Sequence, residues 1–185
     1  MEEKLTAGMI IGEGERLRLR VAGIDDLDFI IAIQKAEDNR DYVVFFDEEF
    51  HESILTMGEA SIDVIVEEKA SGERVGYFLV AGLKSPAKKM EWTHVIIAKK
   101  GLGYGHEAMK LMKKWAFDTL GFHRVWLDCK EYNSRALHLY ESEGMVREGI
   151  FRDTILFNGV YENLVVLAIL EDEYRARKER GLELN

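Results

Sequence analysis

Residues 90–120 read MEWTHVIIAKKGLGYGHEAMKLMKKWAFDTL and carry three kinds of local order in succession. Over the first eight residues Trp92, His94 and Ile96 alternate with Glu91, Thr93, Val95 and Ile97, in a run rich in β-branched and aromatic side chains that predicts a buried strand. A glycine-rich loop follows at once. Beyond it, Ala108, Leu111, Met112, Trp115, Ala116 and Thr119 fall at i, i+3, i+4, i+7, i+8 and i+11, one mostly apolar stripe on a helix that starts near Tyr104.

Strand, glycine loop and helix in that order have a chemical use. The first turn of a helix leaves backbone N–H groups without partners, and the aligned peptide dipoles place partial positive charge there, which makes a phosphate site. Gly101, Gly103 and Gly105 carry no side chains, so a pyrophosphate can approach the amides of Leu102, Gly103, Tyr104, Gly105 and His106, with Lys99 and Lys100 adding charge beside them. The same three glycines also suit a merely flexible connection, and their spacing names no ligand. The nucleoside-triphosphatase loop G-x-x-x-x-G-K-[ST] is absent, and a G-x-G-x-x-G dinucleotide fingerprint would need glycine at His106 or Ala108.

Lys100-Gly101-Leu102-Gly103-Tyr104-Gly105 resembles the R/Q-x-x-G-x-G/A signature of the GNAT N-acetyltransferase superfamily, with Lys100 keeping the charge where Arg or Gln is usual. Residues 131–145, EYNSRALHLYESEGM, resemble the second signature of that superfamily, N-x-x-A-x-x-L-Y-x-x-x-G-F, with Met145 in place of Phe. The likeness continues through Val146-Arg147-Glu148-Gly149, Arg152-Asp153, Asn158-Gly159 and Tyr161, and so covers residues 90–174. Its tail is similar to the branch that holds ribosomal-protein N-terminal acetyltransferases and spermidine acetyltransferases. The resemblance implies acetyl-CoA as cosubstrate, its pyrophosphate held by Lys100, Gly101, Leu102, Gly103, Tyr104, Gly105 and His106. It implies Asn133 as a CoA contact or as the residue shaping the splay between strands, beside its N-cap duty. It also implies backbone amides near Val95, Ile96 and Ile97 polarising the thioester carbonyl.

The chain has 185 residues, 47% hydrophobic and 32% charged, which suits one domain with a full core. A net charge of −9 argues against non-specific binding to nucleic acid or anionic membrane and is compatible with a cationic substrate. Cys129 is the only cysteine, which rules out an internal disulfide or a cysteine metal cluster. His51, His106, His123 and His138 show no metal-ligand spacing with acidic partners, so no metal is expected. With no 18-residue apolar run and no signal-like start, a cytoplasmic protein is expected.

Residues 1–14 read as a loose lead-in, 15–174 as the single domain and 175–185 as a charged tail, with residues 171–180 a helix or frayed end. Leu17, Leu19 and Val21 alternate with Arg16, Arg18 and Arg20 as a strand with one wet face. Asp25 or Asp26 can cap a helix running to about Glu37, and a second short helix is expected over about residues 47–57. Between them, Asp38, Asp41, Asp47, Glu48 and Glu49 either hold an amine, as the resemblance suggests for this region, or form a solvated acidic turn. Strands are expected over 62–67, 74–83, 124–129, 145–151 and 160–170, with Asn158-Gly159 as a two-residue hairpin turn. Asn133 caps a helix that Gly144 ends. The order is α/β (α+β), and the resemblance implies the GNAT sandwich, a mixed, mostly antiparallel sheet of about six to seven strands with about four helices.

Acetyl transfer from a thioester to an amine needs a deprotonated amine, a polarised carbonyl and a protonated leaving thiolate. Tyr140 matches the motif tyrosine that protonates the thiolate in relatives; its alternative is a helix aromatic filling the core. For the amine proton, Glu91 is the first choice and His94 the second, unless bulk water suffices. Strand alternation sends the two to opposite faces unless a bulge intervenes. Cys129 reads as a buried small hydrophobe rather than a nucleophile. The expectation is an acetyl-CoA-dependent N-acetyltransferase working by direct transfer to a primary amine, small amine, polyamine or protein N-terminus. A non-catalytic acyl-CoA sensor is the alternative, and a homodimer is the assembly that the resemblance allows.

Overall fold

In the computed structural model, which describes residues 5–57 and 59–184, eight strands form one sheet. The order along the chain is β1 (Ile10–Glu13), β2 (Leu17–Val21), α1 (Leu27–Lys35), α2 (Glu37–Arg40), α3 (Glu48–Met57), β3 (Ser61–Glu68), β4 (Arg74–Ala81), β5 (Lys89–Ile97), α4 (Tyr104–Lys114), β6 (Arg124–Lys130), α5 (Ser134–Ser142), β7 (Val146–Phe157), β8 (Val160–Leu170) and α6 (Glu171–Glu179). Across the sheet the order is β1-β2-β3-β4-β5-β6-β8-β7, antiparallel except where β5 lies parallel to β6 across the α4 crossover.

Period-two alternation decides which side chains go to which face. Leu17, Leu19 and Val21 join Val64, Val66, Phe78, Val80 and Trp92 in a core covered by Ala108, Leu111, Met112 and Trp115 of α4, with Leu137 and Tyr140 of α5. Ile65, Tyr77, Leu79 and Ile96 face the other way, under Ile30 and Ile33 of α1 and against Phe46, Ile54 and Leu55. The wet face of β2 is spent on ion pairs: Arg20 Nε donates to Glu67 (2.6 Å), and its guanidinium also grips Asp26 (2.7 and 2.9 Å). Asp26 therefore accepts from Arg20 and Gly23 instead of capping α1 with its side chain.

The sheet has one strand more than the sequence suggests, because Ile10–Glu13, expected within a loose lead-in, pairs with β2; residues 1–4 lie outside the described part. Asn158 and Gly159 both take positive φ (49° and 80°), the two-residue turn expected of them. No described helix is long and apolar enough to cross a membrane.

The end of the chain is built into the core rather than left as a charged tail. Tyr174 is buried against Phe117, with ring centroids 4.8 Å apart. Glu183 Oε1 accepts from Lys113 Nζ (2.5 Å) and Arg177 Nε (2.6 Å), while Lys113 also donates to Glu143 (3.0 Å). Lys113 is fully buried, and burial pulls its pKa down against the pull of both carboxylates. Removing one partner of a buried ion pair leaves charge uncompensated. Glu183→Ala is therefore expected to lower the unfolding free energy by about 2–4 kcal/mol in urea denaturation.

Candidate active site

The parallel pairing of β5 with β6 covers only Lys89, Met90 and Glu91, opposite Arg124, Val125 and Trp126. Beyond that point β5 stays with β4 and β6 stays with β8, so a gap opens between them. The Ala98 N–H donates to the Val75 carbonyl (2.7 Å), and the Ile96 carbonyl lies against Gly76 on the same side. Alternation then turns the N–H groups of Val95 and Ile97 into the gap. Of the three residues named for this role, Val95 and Ile97 turn their N–H groups toward the gap. Ile96 directs its backbone to β4 and its side chain into the second core.

A cleft of about 570 Å³ runs from this gap over the glycine loop. Gly101 and Gly103 both have φ near +75°, and Gly103 precedes α4, as glycine allows in a left-handed position. The first intrahelical bond is Glu107 N–H to the Gly103 carbonyl (3.2 Å), so Tyr104, Gly105 and His106 keep N–H groups without helical partners. Gly105 lies close to α5: a Cβ there would come within 2.9 Å of Leu139 Cδ2. The first turn of α5 lines the same cleft, with Asn133 Oδ1 accepting from Ala136 N–H (3.2 Å) as its cap. Two helix N-termini thus share one cleft.

Its charges are mostly cationic, with Asp38 the one carboxylate of the lining among the described residues. Lys100 donates to the neutral acceptors Asn39 Oδ1 (2.7 Å) and Ile97 O (2.5 Å), and burial, then Arg135, pull its pKa down. Lys99 is paired with Glu73 (2.6 Å). Arg135 and His138 also line the cleft; the sequence reading assigned neither a role there, although their spacing after Asn133 puts them on the first turns of a helix. Leu102 is not in the cleft lining. Its side chain is half-exposed, and its carbonyl accepts from Arg16 Nη1 (2.7 Å). Arg16 also meets Glu107 (3.1 Å), whose other oxygen takes the Arg16 and Leu17 N–H groups, so the loop is fastened to β2.

A second chamber of about 220 Å³ adjoins the cleft and shares Tyr42, Val43, Val95, Asn133 and Tyr140 with it. The register of β4 on β5 slips between Leu79/His94 and Val80/Trp92, a bulge at Thr93. The bulge reverses the alternation, so Glu91 and His94 both line this chamber. Asp128 joins them from β6, unforeseen from the sequence because VWLDC reads as an ordinary strand. Burial raises the pKa of Glu91, whose carboxylate accepts from Thr93 Oγ1 (3.2 Å). Burial, then the charge of Glu91, push Asp128 up to about 6.

His94 is a weak base here. Tyr77 Oη and His94 Nδ1 share a hydrogen bond (2.5 Å), and burial followed by His51 pulls the His94 pKa down to about 4, so the ring is neutral at physiological pH. Cys129 is buried, and its thiol is pushed up to about 12 by burial and then Asp128, so it holds its proton. Tyr140 stands at the junction of cleft and chamber, with its phenol pushed far above the ordinary range by burial, then by Cys129 and Asp128. The acidic residues before Phe50 do not enter the chamber. Asp47 accepts from Phe50 N–H (3.0 Å), Glu48 and Glu49 are exposed, and Asp38 faces the cationic cleft. The same segment instead supplies Tyr42, Val43, Val44 and Phe46 as a roof, tied down through the Asp41 carbonyl to Lys130 (3.0 Å) and Tyr132 (2.9 Å).

A family profile described as an acetyltransferase (GNAT) domain matches residues 16–146. The chain belongs to the GNAT acetyltransferase family. Its activity is acetyl-CoA-dependent N-acetyl transfer. This GNAT chain is 26% identical over 173 residues to a spermidine N(1)-acetyltransferase of Vibrio cholerae, covering 89% of the chain and 98% of the relative. It is 30% identical over 133 residues to the probable N-acetyltransferase YjcK of Bacillus subtilis, covering 69% and 65%. In fold it is similar to the crystal structure of the Vibrio cholerae spermidine N-acetyltransferase in complex with CoA and spermine, with a TM-score of 0.77, 23% identity and 88% and 99% of the two chains covered.

A β-branched residue cannot hold the left-handed Gly103 without strain of about 1–3 kcal/mol. Gly103→Val is expected to weaken acetyl-CoA binding about tenfold or more in calorimetric titration, with an unchanged far-UV circular dichroism spectrum.

Proposed function

We propose that this GNAT enzyme acetylates a small cationic primary amine of the polyamine kind by direct transfer, with Tyr140 protonating the leaving thiolate. The observation that carries the reading is the carboxylate-bearing chamber, which shares Tyr140 with the cationic cleft. Acetyl-CoA occupies the large cleft in this reading. Its pyrophosphate lies on the free amides of Tyr104, Gly105 and His106 beside Lys100 and Arg135, and its carbonyl is met by the N–H groups of Val95 and Ile97. The amine enters the chamber by charge, drawn to Glu91 in a chain whose net charge is −9. Two relatives bear on the acceptor. One is named a spermidine N(1)-acetyltransferase and the other only a probable N-acetyltransferase, so the amine is assigned here from the chamber's chemistry.

The raised pKa of Tyr140 suits its task. A thiol titrates near 8.5 in water, below the tyrosine phenol at about 10, so in water the transfer would run uphill. A thiolate formed in the same buried place loses its hydration too, which lifts its proton affinity alongside that of the phenol. The hydroxyl, with no intramolecular hydrogen bond among the described residues, is free to meet the sulfur. Cys129 keeps its proton and leaves no nucleophile for an acyl-enzyme. The reading puts the enzyme in the cytoplasm, without nucleic-acid or membrane partners, as a homodimer through the apolar side chains exposed on β7 and β8, among them Ile150, Phe151, Leu156 and Val160.

Tyr140→Phe is expected to cut kcat about 100-fold while the KM for acetyl-CoA stays within about twofold. Release of free CoA in the presence of spermidine, but not of N-terminal peptides, supports the acceptor assignment. Turnover on peptides alone would move the acceptor to protein N-termini. Tight acetyl-CoA binding without turnover on any amine would make the protein a sensor.

A further inference from the structure

Asp128 is the carboxylate of the chamber that has neither a hydrogen bond nor an ion pair among the described residues. The other groups facing it are accounted for. From β5, Glu91 accepts from Thr93 and His94 is neutral on Tyr77. On β6 itself, Cys129 keeps its proton and the buried Lys130 is neutralised by Glu162 of β8 (3.0 Å) and seated over the Phe157 ring. Tyr140 of α5 and Tyr42 of the roof complete the titratable lining. A second, independent feature points to a ligand in the same place. His94 is 4% exposed, and its Nε2, on the ring edge away from Tyr77, is buried without a hydrogen-bond partner while the ring lines the chamber. A buried polar atom left alone costs free energy that a bound ligand recovers.

Resting on the amine reading above, we propose that Asp128 is the proton acceptor of the reaction, with Glu91 as the partner carboxylate that holds the incoming ammonium. The ammonium gives one proton to Asp128, and its freed lone pair forms the C–N bond to the thioester carbonyl. Collapse breaks the C–S bond and delivers the Tyr140 proton to sulfur, and the second nitrogen proton returns to the Tyr140 oxygen. Asp128 then releases the net proton to water. The third nitrogen proton stays in the amide.

Two carboxyls sharing one chamber titrate as a coupled pair, the charge of one raising the other. Asp128 accepts only when ionised, so kcat/KM for the amine rises with pH through about 6, where Asp128 titrates. The pH–rate profiles of Asp128→Asn and Glu91→Gln test the assignment. Each variant's acetyl-CoA affinity is measured alongside, to show that the cleft is intact. Asp128→Asn is expected to lose the acid limb and about 100-fold in kcat. Glu91→Gln is expected to keep the limb but move it to lower pH, since the charge that raises Asp128 is gone, and to raise the amine KM. The reverse pattern, with the limb lost in Glu91→Gln and only moved in Asp128→Asn, overturns the proposal. So does an unchanged limb in Asp128→Asn. Failure of the parent enzyme to turn over any amine would strike the amine reading instead, before either variant is compared.

Discussion

Parallel strands β5 and β6 stay paired only from Lys89 to Glu91, opposite Arg124 to Trp126, and the remaining length of each is claimed by an antiparallel neighbour. β4 holds β5 as far as Ile97, and β8 holds β6 as far as Lys130. The extra residue at Thr93 adds local twist to β5, which turns its far end away from β6. The gap that results leaves backbone donors of β5 facing space in the middle of a sheet. In most sheets this would be an orphaned ladder. Here it is the floor of a cleft, and the two helices that follow β5 and β6 point their N-termini across it.

The charges around the gap are sorted by side. On the loop side, two helix N-termini, Lys100 and Arg135 make a site in which positive charges strain against one another until an anion arrives. On the other side, burial raises the proton affinity of Glu91 and Asp128, and the charge of Glu91 raises that of Asp128 further, in a chamber whose lysine is already spent on Glu162. Each half is poised for the opposite charge. In the proposed reading a pyrophosphate and an ammonium relieve the two repulsions separately, and Tyr140, uncharged and buried between them, bridges the halves without screening either. On that reading the division of charge is what lets a chain with a net charge of −9 take a polyanionic cosubstrate.

Much of this was legible in the sequence, because the strong signals are local. The alternation of β5, the glycines at left-handed positions, the apolar stripe of α4, the Asn133 cap and the Asn158-Gly159 turn each depend on a few neighbouring residues. What the sequence hid depends on pairing. A bulge exists only relative to a partner strand, so the conditional reading of Glu91 and His94 had to wait for β4 to fix the register. Asp128 sits in a run that reads as strand, and only the parting of β6 from β5 exposes it. The His94 ring is held by Tyr77, distant in sequence. Glu183 looked like solvated tail because the buried Lys113 that binds it lies 70 residues away in the chain. The acidic segment before Phe50 misled in the other direction: its charges are conspicuous in sequence, yet its apolar residues are what reach the site.

The unpaired groups also bear on selectivity. Asp128, half-buried beside Glu91, carries its charge without a partner among the described residues. The repulsion between the two carboxylates is therefore a standing penalty that the rest of the fold offsets. A cationic acceptor removes it. A neutral alcohol of the same size leaves Glu91 and Asp128 repelling one another, whereas an ammonium neutralises the pair and can donate three hydrogen bonds. Sites whose buried polar groups go unpaired with the wrong substrate discriminate far more strongly than apolar pockets do. Preference for an amine over an alcohol thus follows from what the empty chamber lacks. The narrow roof of Tyr42, Val43, Val44 and Phe46, held at Asp41 by Lys130 and Tyr132, then limits which amines can reach it.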